Sequence, residues 1–91
     1  MRLIAAPRFA RAVKKLRMGE KASLDAALRT IAANPEIGEM KKSDLAGVQV
    51  YKYRINAQLV LPAYRVAKDE DAIKLLALGS HENFYRDLKR E

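Results

Sequence analysis

Apolar residues recur along the first third of the chain at the helical spacing i, i+3, i+4, i+7. Phe9, Ala12, Val13 and Leu16 form one such stripe, and Leu24, Ala27, Leu28 and Ile31 form a second. Each predicts an amphipathic helix. Pro7 suits the first helical position of the earlier one, where its missing N–H is not needed. Met18-Gly19 breaks the periodicity between them, and Pro35 disfavours helical geometry at Asn34, which ends the second. Two short helices joined by two or three residues make a helical hairpin. Neither is stable alone at this length, so their stripes need a surface to cover.

The second half of the chain supplies that surface. Three runs read as strands, 48–55, 59–66 and 72–78, separated by linkers short enough for hairpins. Residues 2–6 add a short apolar run before Pro7, a candidate first strand. Residues 35–47 are a polar connector. The prediction is an α+β fold: an N-terminal strand, a helical hairpin packed on a small, mostly antiparallel sheet, and a short C-terminal helix. Neither a repeat nor a low-complexity stretch divides the chain, so residues 1–91 form one domain.

Composition narrows the class. With 49% hydrophobic and 32% charged residues over 91 positions, the chain is globular and large enough to fold without staples. Cysteine is absent and histidine occurs once, which argues against a disulfide scaffold and a structural zinc site. No cofactor or metal is expected. No apolar run approaches the ~20 residues that cross a bilayer, so no membrane partner is expected either. The first 19 residues carry six bases and no acid. Their apolar core ends at Pro7, too early for a signal peptide. Removing them as a transit peptide would take the first strand and helix with them, so the protein is placed in the cytoplasm. The net charge of +7 suggests a polyanionic partner, either nucleic acid or an acidic protein.

Two stretches carry candidate chemistry. In Val48-Gln49-Val50-Tyr51-Lys52-Tyr53-Arg54-Ile55, alternation puts Tyr51, Tyr53 and Ile55 on one face and Lys52 and Arg54 on the other. If the next strand aligns Leu59, Leu61, Ala63 and Arg65 with them, three cations line one side of the sheet. A solvated face with basic edge protection reads equally well. Pro62 belongs at an edge or a bulge, and a bulge there would reverse the parity of Arg65. The second stretch is Gly79-Ser80-His81-Glu82-Asn83-Phe84-Tyr85-Arg86-Asp87-Leu88-Lys89-Arg90, which holds the only histidine. It reads either as a capping helix, with Phe84 and Leu88 on its packed face and His81 exposed, or as a display of functional side chains at a strand's mouth.

Taken in order, Asn34-Pro35, Leu45-Ala46-Gly47, Val50-Tyr51-Lys52-Tyr53-Arg54, Ala63-Tyr64-Arg65-Val66 and Leu78-Gly79-Ser80-His81-Glu82-Asn83-Phe84-Tyr85 resemble the RelE/ParE superfamily of bacterial type II toxins. The resemblance spans essentially the whole chain. It implies a bacterial cytoplasmic toxin with a cognate antitoxin as partner. RelE-like members cut mRNA in the ribosomal A site, whereas ParE-like members inhibit DNA gyrase. An inactive relative that only binds antitoxin is a third possibility. On the RelE-like pattern, Lys52, Arg54, His81 and Tyr85 match catalytic positions. Arg65, Phe84, Arg86 and Lys89 are placed as substrate-binding residues. The pattern also expects an arginine where this chain has Leu61.

Metal-free RNA cleavage needs a base for the 2′-hydroxyl, cations for the phosphate and an acid for the leaving oxygen. His81 has the one side chain that ordinarily titrates near neutrality. Lys52 could serve as base only if Arg54 and Arg65 stood close enough to favour its neutral form. Arg54 suits a forked contact to phosphate, and Tyr85 or Phe84 could stack on a base.

Overall fold

The computed structural model describes residues 1–41 and 47–80. The C-terminal helix anticipated after Gly79 therefore lies outside the described residues. The elements run β1 (Arg2–Ala5), α1 (Pro7–Lys14), α2 (Met18–Ala33), a 3₁₀ turn (Pro35–Ile37), β2 (Glu39–Met40), β3 (Gln49–Val50), β4 (Tyr53–Ile55), β5 (Gln58–Ala67), a second 3₁₀ turn (Lys68–Glu70) and β6 (Ala72–Gly79). One mixed sheet has the order β1-β6-β5-β3-β2, with β4 also paired to β5. β1 runs parallel to β6 and every other pairing is antiparallel. The helical hairpin on a mostly antiparallel sheet is as the periodicity predicted.

Met18-Gly19 does not separate the helices but opens α2. The three intervening residues are Lys15, Leu16 and Arg17. Glu20 accepts a hydrogen bond from the Arg17 N–H at 2.9 Å, half of a capping box that offsets the poor helix propensity of glycine. The two stripes meet the sheet through Phe9, Leu24 and Ile31, which pack with Tyr64, Ile73 and Leu75 in the main core. A smaller apolar cluster, built on Val48, Val50, Leu61, Ala63 and Ala77, occupies the other face.

The single strand expected over 48–55 is divided, and Pro62 explains the division. Tyr51 N–H donates to Pro62 O at 3.1 Å, but proline has no N–H to return. The ladder lapses opposite it, leaving β3 and β4. Register is nevertheless preserved: Val50 faces Ala63 before the gap and Tyr53 faces Val60 after it, the same offset. A register slip does occur next to Pro62, between Ala63 and Tyr64 against Ala77 and Leu75. The extra residue, Leu76, belongs to β6, so alternation along β5 is intact.

The polar connector contains the unpredicted edge strand β2 and is fastened to the core. Tyr64 is fully buried. Its hydroxyl donates to Pro35 O at 2.6 Å and accepts from Gly38 N–H at 2.9 Å. Gln49 Nε2 donates to Pro35 O at 3.0 Å and to Gly38 O at 3.3 Å. Gly38 is required by this closeness, because a Cβ there would overlap the Tyr64 ring and hydroxyl.

Candidate functional site

The intact register decides which side chains share a face. Arg54 pairs with Leu59 and Val50 with Ala63, so Lys52 lies opposite Leu61 between them. Lys52, Arg54 and Arg65 therefore all stand on the sheet face away from the helices, the alignment the sequence left conditional. Tyr51 and Tyr53 turn to the helix side, with ring centroids 6.2 Å apart and packed against the main core. The basic face is thus a consequence of burying the two tyrosines.

Sharing a face does not bring all three cations together. Lys52 and Arg54 are two positions apart, but Arg65 sits level with Val48, four positions from Lys52 and ~13 Å away at about 3.3 Å per residue. Arg65 instead borders a cavity of about 780 Å³ at the other end of the strands, with Lys68, Glu36, Met40 and Met1. The three cations share the face, with Arg65 toward the opposite end of the strands from Lys52 and Arg54.

The partner that Lys52 does have was not foreseen. Its ammonium lies 3.8 Å from Glu39 Oε2, while Lys41 Nζ donates to Glu39 Oε1 at 3.1 Å. The hydrogen bond from Lys41, then the charges of Lys41 and Lys52, hold the Glu39 carboxyl below its usual range. Glu39 arrives from β2, an element with no periodic signature, so nothing in the sequence linked it to Lys52. The Lys52 side chain remains 44% exposed and can exchange this surface pair for another anion. Arg54 Nη1 donates to Ala57 O at 3.2 Å in the tight Asn56-Ala57 turn, where Asn56 takes φ 57°.

Leu61, where the resemblance expects arginine, is completely buried in the smaller apolar cluster. It supplies packing and no charge. Across the sheet, Leu61 pairs with Gly79, so Lys52, Leu61 and Gly79 form one cross-strand row. The chain leaves β6 in that row, two strand spacings or roughly 10 Å from Lys52. His81, Phe84, Tyr85, Arg86 and Lys89 follow and lie outside the described residues.

A groove of about 400 Å³ opens on the helix side of the same end, between α1 and the ends of β4, β5 and β6. Arg8, Arg11, Lys15, Glu20, Tyr53 and Ser80 are among the residues that border it. Among the described residues the Tyr53 hydroxyl, buried there, has no hydrogen-bond partner. Burial first, then the nearby Glu20 carboxylate, raises its pKa above the ordinary phenolic value. Burial also raises Tyr64, against the opposing bond from Gly38.

Both shifts make stability fall in alkali. Above pH ~10 an unfolded tyrosine loses its proton while the folded one keeps it. The folded state then binds more protons, so stability declines with rising pH until the folded groups ionise. Tyr53→Phe should make that decline shallower and, by removing an orphaned buried hydroxyl, raise stability at pH 7 by about 1 kcal/mol. Urea denaturation at pH 7 and above pH 10 measures both, and a loss of stability at pH 7 would contradict the assignment.

A family model described as the ParE-like toxin of type II bacterial toxin–antitoxin systems matches residues 3–89. Among solved structures, a mutant of the E. coli toxin RelE in the free state superposes with a TM-score of 0.77 at 18% identity, covering 99% of this chain and 90% of that one. The toxin chain matched in the intact E. coli RelBE toxin–antitoxin complex gives 0.72 at 18% identity, with coverages of 89% and 96%. A YoeB/ParE toxin from Agrobacterium tumefaciens gives 0.71 at 19%, with 89% and 99%. A search of curated proteins returns no match. At these identities the structural likenesses establish the fold.

Proposed function

The chain belongs to the ParE-like family of toxins of type II bacterial toxin–antitoxin systems, and we propose that this toxin arrests translation as a metal-independent endoribonuclease acting on mRNA in the ribosomal A site. The observation that carries the proposal is the row Lys52–Leu61–Gly79. It sets two cations, Lys52 and Arg54, on the face and at the end of the sheet from which the segment bearing His81 and Tyr85 departs.

In this reading Arg54 and Lys52 bind the scissile phosphate, with Lys52 leaving Glu39 for the phosphate oxygens. His81 takes part in proton transfer. One group removes the proton from the 2′-hydroxyl, whose oxygen attacks phosphorus, and an acid protonates the departing 5′-oxygen. Tyr85 or Phe84 stacks on a base and orients the nucleotide. Arg86 and Lys89 add phosphate contacts. Arg65 lies too far along the strand to touch the same phosphate and would meet RNA only outside the cleavage point.

The buried leucine at position 61 favours one competing reading: a toxin that inhibits DNA gyrase by binding, without an RNA-cleaving set. Mapping transcript ends after induction separates the two. Cuts within translated codons support cleavage, whereas a DNA-damage response without cuts supports gyrase. A chain that binds its antitoxin yet produces neither effect is inactive. His81→Ala should lower the cleavage rate by about 10²–10⁴ and relieve growth arrest. Full toxicity in that variant removes histidine from the mechanism.

A further inference from the structure

The edge strand β2 brings a further cation to the face that carries Lys52 and Arg54. Glu39 pairs with Val50 and Met40 with Gln49, and Lys41 N–H donates to Val48 O at 2.8 Å, so Lys41 stands level with Val48. Cross-strand partners share a face. Glu39 and Lys41 therefore lie with Val48, Val50, Lys52 and Arg54 on the side away from the helices. Glu39 occupies the row midway between those of Lys41 and Lys52, and its carboxylate oxygens are divided between them. Oε1 accepts from Lys41 Nζ at 3.1 Å, and Oε2 lies 3.8 Å from Lys52 Nζ. The two ammoniums are already spaced to grip one anion through two of its oxygens. A phosphodiester offers such a pair.

We propose that Lys41 is a substrate-positioning residue, which with Lys52 holds the RNA phosphate next to the scissile one, in the place the Glu39 carboxylate fills in the free protein. The inference rests on the ribonuclease reading and adds a second phosphate to it. Rows on one face recur every two residues, ~6.6 Å apart. The Glu39 row lies one such step beyond Lys52, on the side away from Arg54, a step that an extended single strand can span between successive phosphates. Leu61, in the row of Lys52, brings no charge from β5, and Lys41 supplies it from the opposite side of β3. The Lys41 side chain is only 18% exposed, so its ammonium is largely held in place before RNA arrives and loses little freedom on binding. Glu39 is suited to give way. Its side chain is 62% exposed and held by surface pairs, and the two lysines keep its carboxyl ionised. It is an internal competitor for the phosphate and turns into solvent when RNA binds.

Single-turnover cleavage of a message on programmed ribosomes tests this, read as the maximal rate and the toxin concentration that gives half of it. Lys41→Gln should raise the half-saturating concentration about tenfold and leave the maximal rate within about twofold. Lys41→Arg, which keeps the charge, should recover most of that loss. Glu39→Gln removes the competitor and should lower the half-saturating concentration about threefold. The deciding comparison adds Lys41→Gln to Glu39→Gln. A lysine that only anchors Glu39 has nothing left to hold in that background, whereas one that touches RNA still gives the full rise. No rise in the double variant, or a loss confined to the maximal rate, overturns the inference and leaves the ribonuclease reading standing. A parent toxin that cuts no message on ribosomes removes both. Should the Lys41→Gln variants fail to fold, Glu39→Gln decides alone: a lowered half-saturating concentration supports the subsite and an unchanged one overturns it.

Discussion

On the proposed ribonuclease reading, replacing Lys52 and Arg54 together with glutamine should remove growth arrest and lower mRNA cleavage by a factor on the order of 10²–10⁴ or more. Both side chains are exposed, and neither belongs to the apolar clusters. The double variant should therefore melt close to the parent and still bind antitoxin. On that reading two losses would combine in it: the proposed forked contact of Arg54 to phosphate and the compact charge of Lys52. Glu39→Gln isolates one component, because it releases Lys52 without removing it and should leave arrest intact. Induction curves and primer extension on a translated message measure all three proteins. Undiminished killing by the double variant, with DNA damage and uncut transcripts, would transfer the assignment to gyrase.

The largest effect on stability is expected from Tyr64→Ala. It removes a fully buried ring from the main core, which costs about 3–5 kcal/mol by analogy with other aromatic truncations. It also leaves Gly38 N–H without its acceptor. Against a total stability on the order of 5–15 kcal/mol, that is enough to unfold a sizeable fraction of molecules. Tyr64→Phe separates the parts: the ring stays, the two hydroxyl bonds go, and the cost falls to about 1–3 kcal/mol. Pro35 O keeps its bond from Gln49 in either variant, so most of the smaller penalty belongs to Gly38. Tyr53→Phe should change stability in the opposite direction, because its hydroxyl has no partner among the described residues to lose. Urea titration of the three variants checks the order. Equal effects from the two phenylalanine substitutions would refute the assigned hydrogen bonds.

This contrast marks how far residue pattern reaches. Tyr51, Tyr53 and Tyr64 are alike in a sequence, each a strand tyrosine beside apolar neighbours. The fold divides them: one pair stacks, one hydroxyl is stranded, and one fastens a connector 26 to 29 residues away. Glu39 is a similar case. Its neighbours in sequence mark it as solvated loop, yet pairing of β2 with β3 carries it to Lys52.

The sequence by itself determined the local matters. Apolar spacing at 3.6 and 2 residues settled the helical hairpin, the longer strand runs and the opposite faces of the tyrosines and of Lys52 and Arg54, because those periods are built into the backbone. The ordered short motifs pointed to the toxin superfamily. What only the tertiary structure decided was register and distance. It showed that Pro62 interrupts a ladder without reversing parity, that Arg65 stands at the opposite end of the strands from Lys52, and that Leu61 is core. Each depends on which strand lies beside which and at what offset. That is fixed by the combined burial of both sheet faces under the hairpin and around the small cluster, a global balance that no single stretch of residues encodes.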